Sequence, residues 1–107
     1  MQQISAAELA SWLADSSRSA PVLLDVREDA EWARGQIAGS LHMVMDQVPA
    51  RINELDDDAP IVCICHHGVR SLHVAAFLER QGFSDVSNLS GGVDAWSVQV
   101  DPRLARY

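Results

Sequence analysis

The stretch IVCICHHGVRSLHVAAFLERQG, residues 61–82, changes its period partway along, and that change decides the fold. Pro60 to Ile64 is a short apolar run rich in β-branched residues, as expected of a parallel strand covered on both faces. From Ser71 the spacing turns helical: Leu72, Val74, Ala75, Phe77 and Leu78 share one face, Glu79, Arg80 and Gln81 are polar, and Gly82 is a stop signal. Between strand and helix lies the tight loop Cys65-His66-His67-Gly68-Val69-Arg70.

This loop has a chemical reading of its own. A cysteine at the carboxyl end of a parallel strand, facing a helix N-terminus, stands where open α/β sheets bind ligands. Unpaired amides of the loop and first helical turn favour an anion there, and so a thiolate. Gly68 lets the backbone turn its amides inward. Arg70 offers a fixed positive fork for an oxyanion; a cation placed against the helix dipole suggests a purpose other than helix stability.

Working outward, Ser5 and Glu8 form a capping box ahead of a helix that runs to about Asp15, with Leu9, Trp12 and Leu13 on one face. After the polar loop SSRSAP, Val22 to Val26 reads as a second buried parallel strand ending in DVRE. A short helix is expected over Asp29 to Arg34, stopped by Gly35. Ile37 to Met43 leads into a short strand, and a helix spans Asp46 to Leu55 with Pro49 near its start. Asp56-Asp57-Asp58 is a solvated turn. Beyond the central helix, Val86 to Leu89 is another strand, Ser90-Gly91-Gly92 a sharp turn, and Val93 to Ser97 a last short helix. The tail VDPRLARY is expected to lie on the surface. Alternating strands and helices predict an α/β fold, a mostly parallel sheet of about four to five strands with helices on both faces, in one domain covering residues 1–107.

The 107 residues, 48% hydrophobic and 21% charged, suit one soluble core. A net charge of −7 argues against nucleic acid or an anionic membrane as partner, and capture of an anionic substrate must rest on the local field of the loop. No apolar run approaches the ~20 residues of a membrane span, and the N-terminus lacks a basic segment followed by an apolar one, so a cytoplasmic setting is expected. Cys63 and Cys65, one residue apart on a strand, disfavour a mutual disulfide.

Three stretches, CHHGVRS, the upstream LLDVRE and the downstream NLSGGVDAW, occur in the order seen in the single-domain rhodaneses, a sulfurtransferase family that this sequence resembles from about Ile4 to Tyr107. The resemblance implies the rhodanese-like fold and a persulfide mechanism. Cys65 would take sulfane sulfur from thiosulfate or a persulfide donor and pass it to cyanide or a thiol, including one on a protein acceptor. It implies Cys65 as nucleophile and His66, His67, Gly68, Val69, Arg70 and Ser71 as the substrate loop, with the histidines setting substrate choice. Asp25 and Arg27 look structural in that light, Asp25 receiving loop amides and Arg27 pairing with a nearby acid. Gln36 stands where relatives often carry histidine.

Mid-strand Cys63 reads as core. His42, beside apolar residues, reads as a satisfied structural group, and Glu28 and Glu31 as ordinary first-turn helix acids. Cys63, Cys65, His66 and His67 have zinc-ligand chemistry, but alternate strand residues followed by adjacent histidines wrap one tetrahedral ion poorly; no metal or organic cofactor is expected. A cysteine phosphatase or arsenate reductase needs five residues between cysteine and arginine, whereas four separate Cys65 from Arg70 and Ser71 fills the arginine's place. The alternative from another class is a sulfur carrier or docking module for a partner protein. Trp12, Trp32 and Trp96 are left between core and interface.

Overall fold

A computed structural model describes residues 1–107, built on one five-stranded parallel sheet in the order β1-β5-β4-β2-β3. The strands are β1 (Gln2–Ile4), β2 (Val22–Asp25), β3 (Leu41–His42), β4 (Ile61–Ile64) and β5 (Val86–Leu89). The helices are α1 (Ala6–Ala14), α2 (Asp29–Trp32), α3 (Val48–Arg51), α4 (Val69–Arg80) and α5 (Gly92–Gln99). The expected α/β architecture is therefore present. The central strand β4 pairs with β2 through Leu24↔Cys63 and with β5 through Cys63↔Asn88.

Strand alternation divides the core in two. Ile61 and Cys63 face one way and join Leu24, Met43, Val48, Val74, Ala75 and Leu78 beneath α3 and α4. Val62 and Ile64 face the other way and join Ala6, Leu9, Trp12, Leu89, Val93 and Trp96 beneath α1 and α5. Because both sheet faces are covered, β4 is apolar at every position, which is why it reads as a continuous run. Trp12 and Trp96 are core residues, while half-buried Trp32 stacks on His42 with ring centroids 4.5 Å apart.

Several boundaries differ from expectation. β1 has no strand-like pattern in Gln2-Gln3-Ile4; it exists because the open edge of β5 accepts it, Gln3 pairing with Asn88. The segment expected as one helix over Asp46 to Leu55 is instead a 3-10 turn at Met45–Gln47, α3, and a second 3-10 turn at Ile52–Glu54. α4 begins at Val69 and not Ser71, because Gly68 as N-cap adopts φ 97°, a left-handed conformation that a side chain strongly disfavours. Val69 and Arg70 thus belong to the first helical turn, and the true loop is only His66–Gly68. α5 is longer than Val93 to Ser97 by one residue at its start and two at its end.

The sheet order also places the site. From β2 the chain moves outward to β3 on one side; from β4 it moves outward to β5 on the other. The segments leaving the carboxyl ends of the adjacent strands β2 and β4 therefore diverge, opening a crevice between them. DVRE leaves β2 on one side of it and CHHG leaves β4 on the other.

Candidate functional site

Cys65 follows β4 directly and is 1% exposed. Its Sγ accepts a hydrogen bond from the Gly68 amide at 3.1 Å, so the head of α4 points at the sulfur. The first-turn amides of α4 have no intrahelical acceptor, and they add to the positive field there. Gly68 is held without slack: a Cβ on it would lie 3.1 Å from the Leu89 carbonyl oxygen.

The rear of the loop is clamped by the second glycine turn. Val93 N donates to the Cys65 carbonyl at 2.9 Å and Asp94 N to the His66 carbonyl at 3.1 Å, so the N-terminus of α5 holds the loop backbone. This close approach demands glycine at 92, where a Cβ would come within 2.2 Å of the Cys65 carbonyl oxygen. The pair Gly91-Gly92, legible in the sequence as a turn, is thus also a docking surface for the Cys65 loop.

Ser71 is fully buried, with Oγ 3.2 Å from Cys65 Sγ and 2.5 Å from Asn88 Oδ1. The Asn88 amide is oriented by its other end, where Nδ2 donates to the Gly68 carbonyl at 3.0 Å and to Gln3 Oε1 at 3.0 Å. Oδ1 only accepts, so the serine proton is drawn toward Asn88 when the sulfur carries its own proton, and is shared when the sulfur is anionic. Asn88 escaped the sequence reading, although an amide within a strand buried at every position, Val86 to Leu89, is the signal that could have found it.

Arg70 does not stand free. Its Nη1 and Nη2 grip Glu31 Oε1 and Oε2 at 2.5 and 2.9 Å, a bidentate pair reaching across the crevice from α4 to α2. Glu31 also accepts from the Glu28 amide at 3.1 Å and from the Tyr107 hydroxyl at 2.8 Å. The Arg70 guanidinium above all, then the tyrosine hydroxyl, hold the Glu31 carboxyl down at about 2, against the desolvation that pushes it up. Glu31 is accordingly more than a first-turn helix acid. Nothing local could have linked it to Arg70, 39 positions on, or to Tyr107, 76 positions on.

The tail expected on the surface folds back into this group. The Tyr107 ring stacks on His66 with centroids 3.8 Å apart and planes 9° from parallel, while the His67 ring tilts against His66 with centroids 3.8 Å apart. His66 Nε2 is enclosed and has no hydrogen-bond partner. Burial, and then the neighbouring His67, hold the His66 imidazole below the usual histidine range, so it is neutral near pH 7. Of the expected substrate loop, then, Gly68 and Ser71 reach the sulfur, Arg70 is engaged by Glu31, His66 sits in an aromatic stack, and His67 and Val69 are exposed.

Beneath the crevice lies a second arginine–carboxylate pair. Arg27 and Asp25 are 1% and 0% exposed and joined at 2.8 Å. Asp25 also accepts from the Arg27 amide at 3.1 Å, and Arg27 donates onward to the Gly35 carbonyl at 2.8 Å and the Tyr107 hydroxyl at 3.1 Å. The acid that pairs with Arg27 is Asp25 itself. The Arg27 carbonyl meets His42 Nε2 at 2.7 Å, which satisfies that histidine as expected. Gln36, where relatives often carry histidine, donates to the Trp32 carbonyl at 3.3 Å. Cys63 lies fully buried in the core, and burial, with Cys65 beside it, pushes its thiol up to about 12.

Residues 5–99 match the model of the Rhodanese-like domain. The chain belongs to that family. Within it, a protein named sulfurtransferase from Allochromatium vinosum is 36% identical over 105 residues, 98% of this chain and 96% of that protein. A thiosulfate sulfurtransferase, GlpE, from Pseudomonas fluorescens is 44% identical over 85 residues, 79% of this chain and 78% of that one. The crystal structure of a rhodanese-like domain protein from Staphylococcus aureus superposes with a TM-score of 0.84 at 32% identity, covering 100% of this chain and 99% of that one. The rhodanese fold and the resemblance drawn from CHHGVRS, LLDVRE and NLSGGVDAW are both supported by these relatives. No helix of this rhodanese-like chain is long and apolar enough to cross a membrane.

Proposed function

We propose that this rhodanese-like protein is a sulfurtransferase in which Cys65 carries the sulfur as a persulfide. The observation that carries the reading is the Gly68 N–H aimed at Cys65 Sγ from 3.1 Å at the head of α4. A fixed donor and a helix N-terminus favour negative charge on this sulfur, which a nucleophile needs before attack and a persulfide needs afterwards.

In the first half-reaction the Cys65 thiolate attacks the outer sulfur of thiosulfate. A new S–S bond forms, the S–S bond of thiosulfate breaks, and sulfite leaves with the electron pair, the negative charge passing to the outer sulfur of Cys65–S–S⁻. In the second, cyanide or a thiolate attacks that outer sulfur; thiocyanate or a new persulfide leaves, and the Cys65 thiolate returns. No proton has to move in the thiosulfate and cyanide steps, consistent with a neutral, stacked His66 that is placed to shape the loop rather than to act as a base. Gly68 and Ser71 hold the sulfur, Arg70 orients the anionic donor, and exposed His67 and Val69 meet substrate or acceptor at the mouth. The three-residue loop His66–Gly68 supports a sulfur-sized anion over the tetrahedral group of a phosphatase. The setting proposed is the cytoplasm, as one domain, without metal or organic cofactor.

Intact-protein mass spectrometry after brief thiosulfate treatment tests the reading. One sulfur should be gained by the wild type and by Cys63→Ser, none by Cys65→Ser, and cyanide should remove it as thiocyanate over many cycles. Sulfur transfer retained by a folded Cys65→Ser protein would refute the mechanism. Loading once without turnover would favour the sulfur carrier instead.

A further inference from the structure

The cations around the mouth are committed. Arg70 is held by Glu31, Arg27 by Asp25 and Arg106 by Asp94, the last at 2.8 Å; Arg34 lies over the Tyr107 ring, 5.1 Å from its centroid. Arg70 stands in the first turn of α4, the helix whose head points at Cys65, and its guanidinium spans the crevice to α2. Glu31 occupies both of its terminal nitrogens, the edge that would otherwise fork a sulfonate. The carboxylate is itself braced by Tyr107 and the Glu28 amide, and it stays ionised throughout the working pH range.

A sulfonate approaching Arg70 therefore meets a guanidinium already neutralised by a braced carboxylate, in a protein whose net charge is −7. To use both terminal nitrogens it must displace Glu31, and on approach it is repelled by that charge. A donor that brings its sulfane sulfur on a thiol needs no such fork. Only the loop amides and Cys65 take part in that exchange.

We propose, building on the sulfurtransferase reading, that Glu31 is a specificity-determining residue that competes with sulfonate donors for Arg70 and so weights the site toward persulfides of thiols over thiosulfate. It acts through Arg70 and touches no reacting atom, which makes it a positioning residue. With a persulfide R–S–SH the balance is simple: Cys65 thiolate attacks the outer sulfur, the S–S bond of the donor breaks, and the inner sulfur leaves with the electron pair and takes up the proton as the thiol R–SH while Cys65–S–S⁻ forms.

The test is steady-state kinetics of wild type, Glu31→Gln, Arg70→Ala and the double variant, with thiosulfate and with the persulfide of 2-mercaptoethanol as donors. Glutamine keeps the shape and an acceptor for the Tyr107 hydroxyl but removes the charge. Expected for Glu31→Gln is a fall of about five- to tenfold in KM for thiosulfate with kcat changed less than about twofold, as for removal of a ground-state repulsion. Rates with the persulfide should not change, and the gain on thiosulfate should vanish in the Arg70→Ala background. A folded Glu31→Gln protein, with wild-type circular dichroism and a single cooperative melting transition, whose KM for thiosulfate is unchanged or higher overturns the proposal. So does one that improves equally with both donors. If the wild type gains sulfur on Cys65 from neither donor, the sulfurtransferase reading itself fails and takes this inference with it; normal loading with no Glu31 effect sinks the inference alone.

Discussion

Two arginine–carboxylate pairs stand beside the same crevice, and they differ mainly in water. Arg27–Asp25 is closed, with side chains 1% and 0% exposed, and its spare donors are taken by Gly35 and Tyr107. Arg70–Glu31 is open, at 31% and 19%, and its members come from two different helices, α4 and α2. The buried pair cannot exchange partners, because either charge left alone in the core would be strongly unfavourable. The open pair can, since solvent compensates whichever member is released. The first is thus suited to fix the β2 loop in place, and the second to be traded for a ligand.

Breaking the buried pair should have the largest effect. Asp25→Asn leaves the Arg27 charge uncompensated and should cost about 3–5 kcal/mol, read by urea unfolding. A loss below about 1 kcal/mol would erase the distinction between the two pairs. Removing the exposed partner separates stability from function: Arg70→Ala should cost no more than about 1 kcal/mol of stability. It should nevertheless raise the thiosulfate KM about tenfold, as expected for loss of a charge-assisted contact. An unchanged KM would remove Arg70 from the site.

The smallest effect is in pH. The Glu31 carboxyl is depressed in the folded state from 4.5 to about 2, so its contribution is complete above about pH 4.5 and is lost as pH falls toward 2. The stability difference between wild type and Glu31→Gln should therefore shrink over that window, by about 1 kcal/mol once solvent screening is allowed for. A difference that stays constant across it would mean that the pair contributes nothing in solution.

Much of this was legible in the chain itself. β4 announces itself because a strand buried on both faces is apolar without interruption, β2 and β5 by their β-branched and apolar residues between turn signals, and α1 and α4 because each buries one helical face. β1 was not legible: Gln2-Gln3-Ile4 is strand only because β5 offers an edge. Asp46 to Leu55 reads as one helix with Pro49 near its start, yet only Val48 of α3 is buried, too little to hold a longer helix against the core. At the site, Cys65, Gly68 and Ser71 were readable because they lie close together in the chain, across one strand-to-helix junction.

What the sequence determined alone was the set of local events: a covered strand, a cysteine at its end, a glycine that lets the next helix begin at Val69, and the order of elements that makes the sheet parallel. These depend on periodicity and backbone conformation, which neighbouring residues decide. What only the tertiary structure decided was which charges meet. Glu31, Arg70 and Tyr107 lie far apart in the chain and carry no mutual signal, because an ion pair across a crevice depends on the crossover of β2 and β4 and on where the tail returns. The tertiary structure therefore shows what the loop alone could not, that the arginine at its end already holds a carboxylate.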